Sequence, residues 1–265
     1  MTTYLGVCGW PVAHSRSPAM HNAALAEVGL DWRYLLLPLP PHLFAETVRA
    51  LAAAGFRGVN VTIPHKEAAL ALADEATETA RAIGAANTLT FEDGRILAEN
   101  TDAPGLLAAL EPVRDPAGRR ALVLGGGGSA RAAVWALVRA GAAVSVWNRT
   151  AERAEALAAE LGARAVSVPE HAEIVVNCTS VGLTDPEATF KTLPLDADDW
   201  DAGTCVVDMV YRDGGTKLLG EALRRGARVV DGLEILVAQG ALSFERWTGT
   251  AAPRAAMREA ASRSP

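Results

Sequence analysis

Apolar residues recur along this chain in two alternating rhythms. Short apolar runs bounded by Gly, Pro or Asp read as strands, and longer stretches with apolar residues every three to four positions read as helices. YLGVCG (4–9) is a strand. Ser17-Pro18 then marks a helix start, with Ser as N-cap and Pro at the first helical position, and that helix runs to about Val28 and ends at Gly29. A strand at 32–39, a helix at 42–54 closed by Gly55, and a strand at 57–63 follow. Pro64 opens a helical stretch that breaks near Asp74 and ends at Ile83, and 87–100 reads as a hairpin turning at Asp93-Gly94. A helix from Asp102 to about Leu110 leads into the polar stretch EPVRDPAGRR.

A second pattern starts beyond that stretch. Strand 120–125, a helix to Ala140, strand 143–148, helix 150–161, strands 173–178 and 204–208, helix 215–225 and strand 227–230 have the rhythm of a parallel sheet with right-handed crossovers. Residues 233–262 read as two helices that pack back on the first domain. The expected fold class is α/β in two domains: a discontinuous α/β domain of residues 1–102 plus about 240–265, and a doubly wound, Rossmann-type dinucleotide-binding domain of about 103–239.

VLGGGGSARA (123–132) gives the second domain its chemistry. It follows a strand and opens a helix, as a dinucleotide fingerprint must. Read as G-x-G-x-x-A, Gly125 permits the tight turn, Gly127 lets the backbone approach a pyrophosphate, and Ala130 lets helix and strand pack closely. The helix N-terminus offers N–H groups to phosphate. An NAD enzyme places an acid at the end of the next strand for the ribose 2′-hydroxyl. This chain has Asn148-Arg149-Thr150 there, then Arg153. Arg149 suits a 2′-phosphate, so NADP(H) is the expected cofactor. Thr150 is expected to cap the helix.

Composition narrows the choice. The 265 residues carry a formal net charge of −6, which argues against nucleic acid or an anionic membrane as the main partner. No basic, apolar leader opens the sequence and no apolar run is long enough to span a bilayer, so a cytoplasmic protein is expected. Three dispersed cysteines and the scattered His14, His21, His42, His65 and His171 offer no disulfide framework and no metal site. Only three of the 25 basic residues are Lys, and the amides are one Gln and six Asn. In such a chain Lys66, Asn60, Asn87 and Gln239 are candidates for specific work. Ser15 and Ser17, before a helix, suit a carboxylate, unless Ser17 serves as the cap alone.

The ordered motifs P-x-x-H-S-x-S-P-x-x-H-N, N-V-T-I-P-x-K, G-A-x-N-T, N-T-D-x-x-G, the glycine loop with Ala130-Arg131, N-R-T, N-C-T-S-x-G, D-x-x-Y and G-x-x-x-L-x-x-Q run from residue 11 to 239. Together they resemble the shikimate dehydrogenase family; Ile235 departs from the family's frequent Met at a packing position. The resemblance implies reversible NADPH-linked reduction of 3-dehydroshikimate to shikimate in aromatic amino-acid biosynthesis. It implies Lys66 and Asp102 as the acid–base pair. It implies Ser15 and Ser17, with Tyr211, on the substrate carboxylate, and Asn60, Thr62, Asn87, Asp102 and Gln239 as further substrate contacts. The implied cofactor contacts are Gly125, Gly126, Gly127, Gly128, Ser129, Ala130, Asn148, Arg149, Thr150, Arg153, Thr179, Met209 and Gly232. Monomer and homodimer stay open. So do an NAD-linked quinate/shikimate dehydrogenase, which the missing strand-end acid opposes, and a non-catalytic ligand-binding homologue, which the presence of Lys66 and Asp102 opposes. Lys suits the chemistry on its own terms: it donates a proton and can take one back, which Arg cannot. His65 beside it is expected to be structural.

Overall fold

The computed structural model describes residues 2–263. The chain divides into two compact units, Met1–Gly105 with Leu236–Pro265, and Leu106–Ile235. From the sequence the junctions fall at 102/103 and about 239/240, so Gln239 lies in the first unit rather than the second.

The first unit is built on a six-stranded mixed sheet. Its strands are β1 (Thr3–Gly9), β2 (Trp32–Pro38), β3 (Phe56–Val61), β4 (Glu75–Ala76), β5 (Thr88–Glu92) and β6 (Arg95–Glu99), in the order β2-β1-β3-β5-β6-β4. β1 pairs in parallel with β2 and β3, whereas β5 runs antiparallel to both β3 and β6. The β5–β6 hairpin turns at Asp93-Gly94, both at positive φ. Its helices are α1 (Ser17–Glu27), α2 (Phe44–Ala53), α3 (Lys66–Leu72) and α4 (Glu78–Ile83). Val59, Val61, Leu89, Ile96 and Ala98 of the strands pack with Phe44 and Val48 of α2 into a buried core.

Three local expectations are corrected. Ser17 is the first residue of α1, with Arg16 at the cap, and the Ser17 N–H is taken by Ser15 Oγ at 3.3 Å. Pro64 does not open a helix; the His65 N–H bonds Thr62 O in a turn, and α3 starts at Lys66. The break near Asp74 is the short strand β4, because Asp74 exchanges bonds with Ile96 through its own N–H and carboxylate and so joins β6.

The second unit holds an all-parallel sheet of β7 (Arg120–Leu124), β8 (Ala143–Trp147), β9 (Arg164–Ala165), β10 (Ile174–Asn177), β11 (Cys205–Asp208) and β12 (Arg228–Asp231), in the order β12-β11-β10-β7-β8-β9. This is the doubly wound order, whose switch point lies between β7 and β10. Alternate strand residues feed opposite faces. Ala121, Val123, Val146 and Val176 pack under α6 (Gly128–Arg139) and α7 (Ala151–Leu161), with Leu106 and Leu110 of α5 (Asp102–Leu110). Leu122, Leu124, Val175 and Val206 pack with Leu218 and Ala222 of α9 (Lys217–Arg224), which follows the short α8 (Thr189–Thr192). Each fully buried aliphatic side chain contributes about 1.5–3 kcal/mol relative to exposure.

The unit boundaries fall inside helices α5 and α10 (Gly232–Thr248). The later part of α10 and α11 (Arg254–Ser262) complete the first unit: Trp247 Nε1 donates to Leu89 O at 3.2 Å, and Arg16 bonds Ala261 O at 2.9 Å. At Gly105 a Cβ would lie 2.7 Å from Gln239 Cβ and 2.9 Å from Gln239 N, so only Gly permits α5 and α10 to run this close.

Candidate active site

Lys66 stands at the start of α3, where β3 has run out and the Thr62–His65 turn redirects the chain. His65 anchors that turn. Its Nε2 lies 2.7 Å from Leu39 O, and its ring stacks on Phe44 at 4.3 Å between centroids. Burial holds the His65 pKa below the ordinary imidazole value. Lys66 Nζ donates to Asp102 Oδ2 at 2.6 Å, with the two side chains only 11% and 12% exposed. Asp102 occupies the first turn of α5, where a carboxylate is favoured by the helix dipole.

Asn87 precedes β5 and joins the pair from the other side. The Thr101 backbone N–H bonds Asn87 Oδ1 at 2.7 Å, and an N–H can only donate. The Asn87 Nδ2 therefore faces the site and reaches Asp102 Oδ1 at 3.0 Å and Gln239 Oε1 at 3.1 Å. Gln239 is oriented likewise, because its Nε2 donates to Leu236 O at 2.8 Å. Lys66, Asp102, Asn87 and Gln239 thus form one continuous bonded array, with the Asp102 carboxylate accepting at both oxygens. Ser15 is half-buried and Ser17 buried at the start of α1, and Thr62 is half-buried just beyond β3. Asn60 is buried as well, its amide bonded to Tyr34, Thr88, Ser243 and the Asn87 carbonyl. Tyr211 lies in the second unit, half-buried beyond β11.

The second unit gathers the glycine-loop residues at the carboxyl ends of its strands. Gly125 has φ +124°, a conformation that L side chains rarely adopt, and a Cβ there would sit 3.4 Å from Cys178. A Cβ on Gly126 would lie 3.1 Å from both Arg153 Cβ and Asn148 Cγ, so the turn after β7 lies against the turn after β8. Gly127 is exposed, with no heavy atom within 4 Å of where its Cβ would be. No side chain caps the start of α6, which begins at Gly128 and continues through Ser129 to the buried Ala130. Arg149 and Arg153 are exposed. Thr150 does stand at the N-cap of α7, but its hydroxyl makes no capping bond; Asn148 Nδ2 instead bonds Thr150 O at 2.9 Å. These features fit a dinucleotide: a backbone cradle open to phosphates at a helix start, with arginines beside the neighbouring strand end.

Sequence reasoning assigns no role to several residues that hold these sites. Asn177 Oδ1 accepts from Thr179 N–H and hydroxyl, while its Nδ2 donates to Asp208 Oδ1 at 2.9 Å. Burial pushes the Asp208 carboxyl up to about 6, against bonds from Thr216, the Val210 N–H and Asn177 that favour its charged form; Asp231 raises it further. Met209 and Gly232 meet next to this network, where a Cβ on Gly232 would lie 2.7 Å from Met209 O. In the first unit the Thr101 hydroxyl bonds Asn87 Oδ1, and Thr88 joins Ser243 behind it.

Three family descriptions match the chain: the shikimate dehydrogenase substrate binding domain over residues 7–89, shikimate / quinate 5-dehydrogenase over 108–181, and the shikimate 5′-dehydrogenase C-terminal domain over 232–261. A shikimate dehydrogenase (NADP(+)) of Thermus thermophilus is 47% identical over 260 residues, covering 97% of each chain. That of Methanopyrus kandleri is 44% identical over 278 residues, covering 98% of this chain and 94% of its own. The solved shikimate 5-dehydrogenase of a second Thermus thermophilus strain, in complex with NADP(H) and shikimate, superposes with a TM-score of 0.90 at 45% identity, covering 100% of both chains. With identity of this order over nearly the whole length, on the same two-unit fold, the chain belongs to the shikimate dehydrogenase family.

Proposed function

We propose that this protein catalyses the reversible NADPH-linked reduction of 3-dehydroshikimate to shikimate. The carrying observation is the buried Lys66–Asp102 pair, bridged by Asn87 to Gln239 within the unit that matches the substrate-binding domain. NADPH supplies the hydride when bound, held by the turn from Gly125 to Ala130 together with Asn148, Arg149, Thr150, Arg153, Thr179, Met209 and Gly232. The rest is the protein's work. Lys66 Nζ donates a proton to the ketone oxygen as negative charge develops there, and takes it back in the oxidative direction. Asp102 holds the ammonium in place. Asn87 and Gln239, each with its amide orientation fixed by a backbone partner, present defined donors and acceptors to ring hydroxyls. Thr62 adds a hydroxyl, and the hydroxyls of Ser15 and Ser17 at the start of α1 receive the substrate carboxylate, with Tyr211 as a further contact.

No described helix is long and apolar enough to cross a membrane. The buried thiols of Cys8 and Cys205 fit a reducing, cytoplasmic setting for this biosynthetic step. The deciding experiment is direct: purified protein, shikimate and NADP+, followed by the growth of NADPH absorbance. Turnover is expected; its absence at saturating shikimate with correctly folded protein overturns the assignment.

A further inference from the structure

We propose that Ser243 is a positioning residue for the substrate site, acting with Thr88 through Asn60 and Thr101 on Asn87. Ser243 is fully buried on α10, one turn before the buried Trp247, where an alanine would be the plain choice. A buried hydroxyl there costs stability unless it is bonded. It is bonded from several sides. Its Oγ donates to Gln239 O at 3.1 Å, since a carbonyl can only accept. That fixes the remaining roles. Ser243 Oγ must accept, and its nearest partners are Asn60 Nδ2 at 2.9 Å and Thr88 Oγ1 at 3.0 Å, with Thr101 Oγ1 farther away at 3.3 Å. Thr88 therefore spends its proton on Ser243 and accepts from Asn60 Nδ2 at 3.2 Å. Asn60 Oδ1 is turned to the Tyr34 hydroxyl at 2.8 Å. The Thr101 hydroxyl is left to join its own backbone N–H on Asn87 Oδ1, at 3.2 and 2.7 Å.

One hydroxyl thus ties the helix that carries Gln239 to the strand ends that carry Asn87. Without it, the Thr88 proton loses its acceptor and turns to Asn87 Oδ1, 3.3 Å away, where it competes with Thr101. Asn60, bonded to both Thr88 and Ser243, belongs to the same positioning network. Misplacement of site groups by a fraction of an ångström is enough to lower turnover.

The proposal rests on the assigned reaction only for its kinetic arm. Ser243→Ala and Thr88→Val are each expected to lower kcat/KM for shikimate roughly tenfold, in the range seen when groups that orient ligands are removed. KM for NADP+ should stay within about twofold, since the cofactor residues lie in the other unit. Thr88→Ser, which keeps the hydroxyl, should recover most of the loss, as a merely structural role for the methyl would not allow. Crystal structures of wild type and Ser243→Ala form the second arm, which needs no turnover: the Asn87 amide should leave its bonds to Asp102 and Gln239. A variant with unchanged kcat/KM, a Thr88→Ser as impaired as Thr88→Val, or an Asn87 amide unmoved in Ser243→Ala overturns the proposal. A wild type that does not oxidise shikimate overturns the assigned reaction instead, and the crystallographic arm then decides the role of Ser243 alone. If Ser243→Ala does not fold, Thr88→Val carries both arms.

Discussion

Lys66 and Asp102 share a 2.6 Å ion pair that is almost closed to water, and a pair so placed acts as one group. Lys66→Ala should lower kcat by roughly 10²–10⁴, the usual worth of a general acid–base residue, with a much smaller change in KM for shikimate. Asp102→Asn should also lower kcat strongly, and the double variant should be little worse than the worse single one. Steady-state kinetics on the three variants, matched for thermal stability, separates this from simple binding: a raised KM with intact kcat would reassign Lys66 to substrate binding. His21 gives a second expectation of another kind. It is fully buried, stacked on Tyr34 at 4.3 Å between centroids, and among the described residues neither ring nitrogen has a hydrogen-bond partner. Burial lowers its pKa to about 3 from 6.5. The unfolded chain therefore takes up this proton first as the pH falls below 6.5, and stability declines from there down to about pH 3. At pH 5 the loss from this one ring is about 2 kcal/mol, at roughly 1.4 kcal/mol per pH unit. His21→Phe should flatten the decline in denaturation midpoint between neutral pH and pH 5; an unchanged slope would show that the ring is protonated in the fold.

The proposed function places cofactor choice in the turn between β8 and α7. Arg149 is exposed there, with no strand-end carboxylate to bind a ribose hydroxyl. One charge-assisted contact to a 2′-phosphate is worth roughly 1.5–3 kcal/mol, or on the order of 10–150-fold in kcat/KM for NADP(H) over NAD(H). Arg149→Ala should erase most of that ratio while leaving the NAD-linked rate nearly unchanged; equal kcat/KM for the two cofactors in the wild type would sink the argument. At this level the sequence is informative because elements announce themselves locally. The β7 run, the glycines after it and the basic turn after β8 all lie within one short segment, and periodicity with its Gly and Pro boundaries separates strand from helix. Lys66, Asn87 and Gln239 stand out because Lys and amides are scarce here. Thr88 and Ser243 do not, since a β-branched Thr reads as an ordinary strand residue and a small Ser as helix filler. Only partners brought from 13 and 155 residues away show what those hydroxyls do. Ser17 reads as a cap but stands one position inside the helix, because Ser15, two positions earlier, supplies the oxygen that its N–H meets. β4 leaves no periodic trace for a similar reason: a two-residue strand exists only through its neighbour β6.

For the molecule as a whole, the first unit is made of two stretches of chain and the second of one. The closing stretch brings Trp247 to Leu89, Gln239 to Asn87 and Ala261 to Arg16. This order has a consequence during synthesis. A domain folds as a unit once its residues have left the ribosome, and earlier domains fold first when they are complete. Here the earlier one is not complete. Residues 1–105 emerge first with all six strands of their sheet, yet the helices that complete their unit come only with Leu236 and beyond, while Leu106–Ile235 has both its sheet and its helices as soon as it is out. The nascent chain therefore matures in reverse, its middle settling before its beginning. Ribosome-bound chains arrested shortly after Ile235 has cleared the exit tunnel should yield a protease-resistant fragment from the middle and a digested leading segment. Arrest after the whole chain has emerged should protect both. Equal protection of the leading segment at the earlier arrest point would mean that its sheet closes without α10 and α11, and that those helices are added to a fold already made.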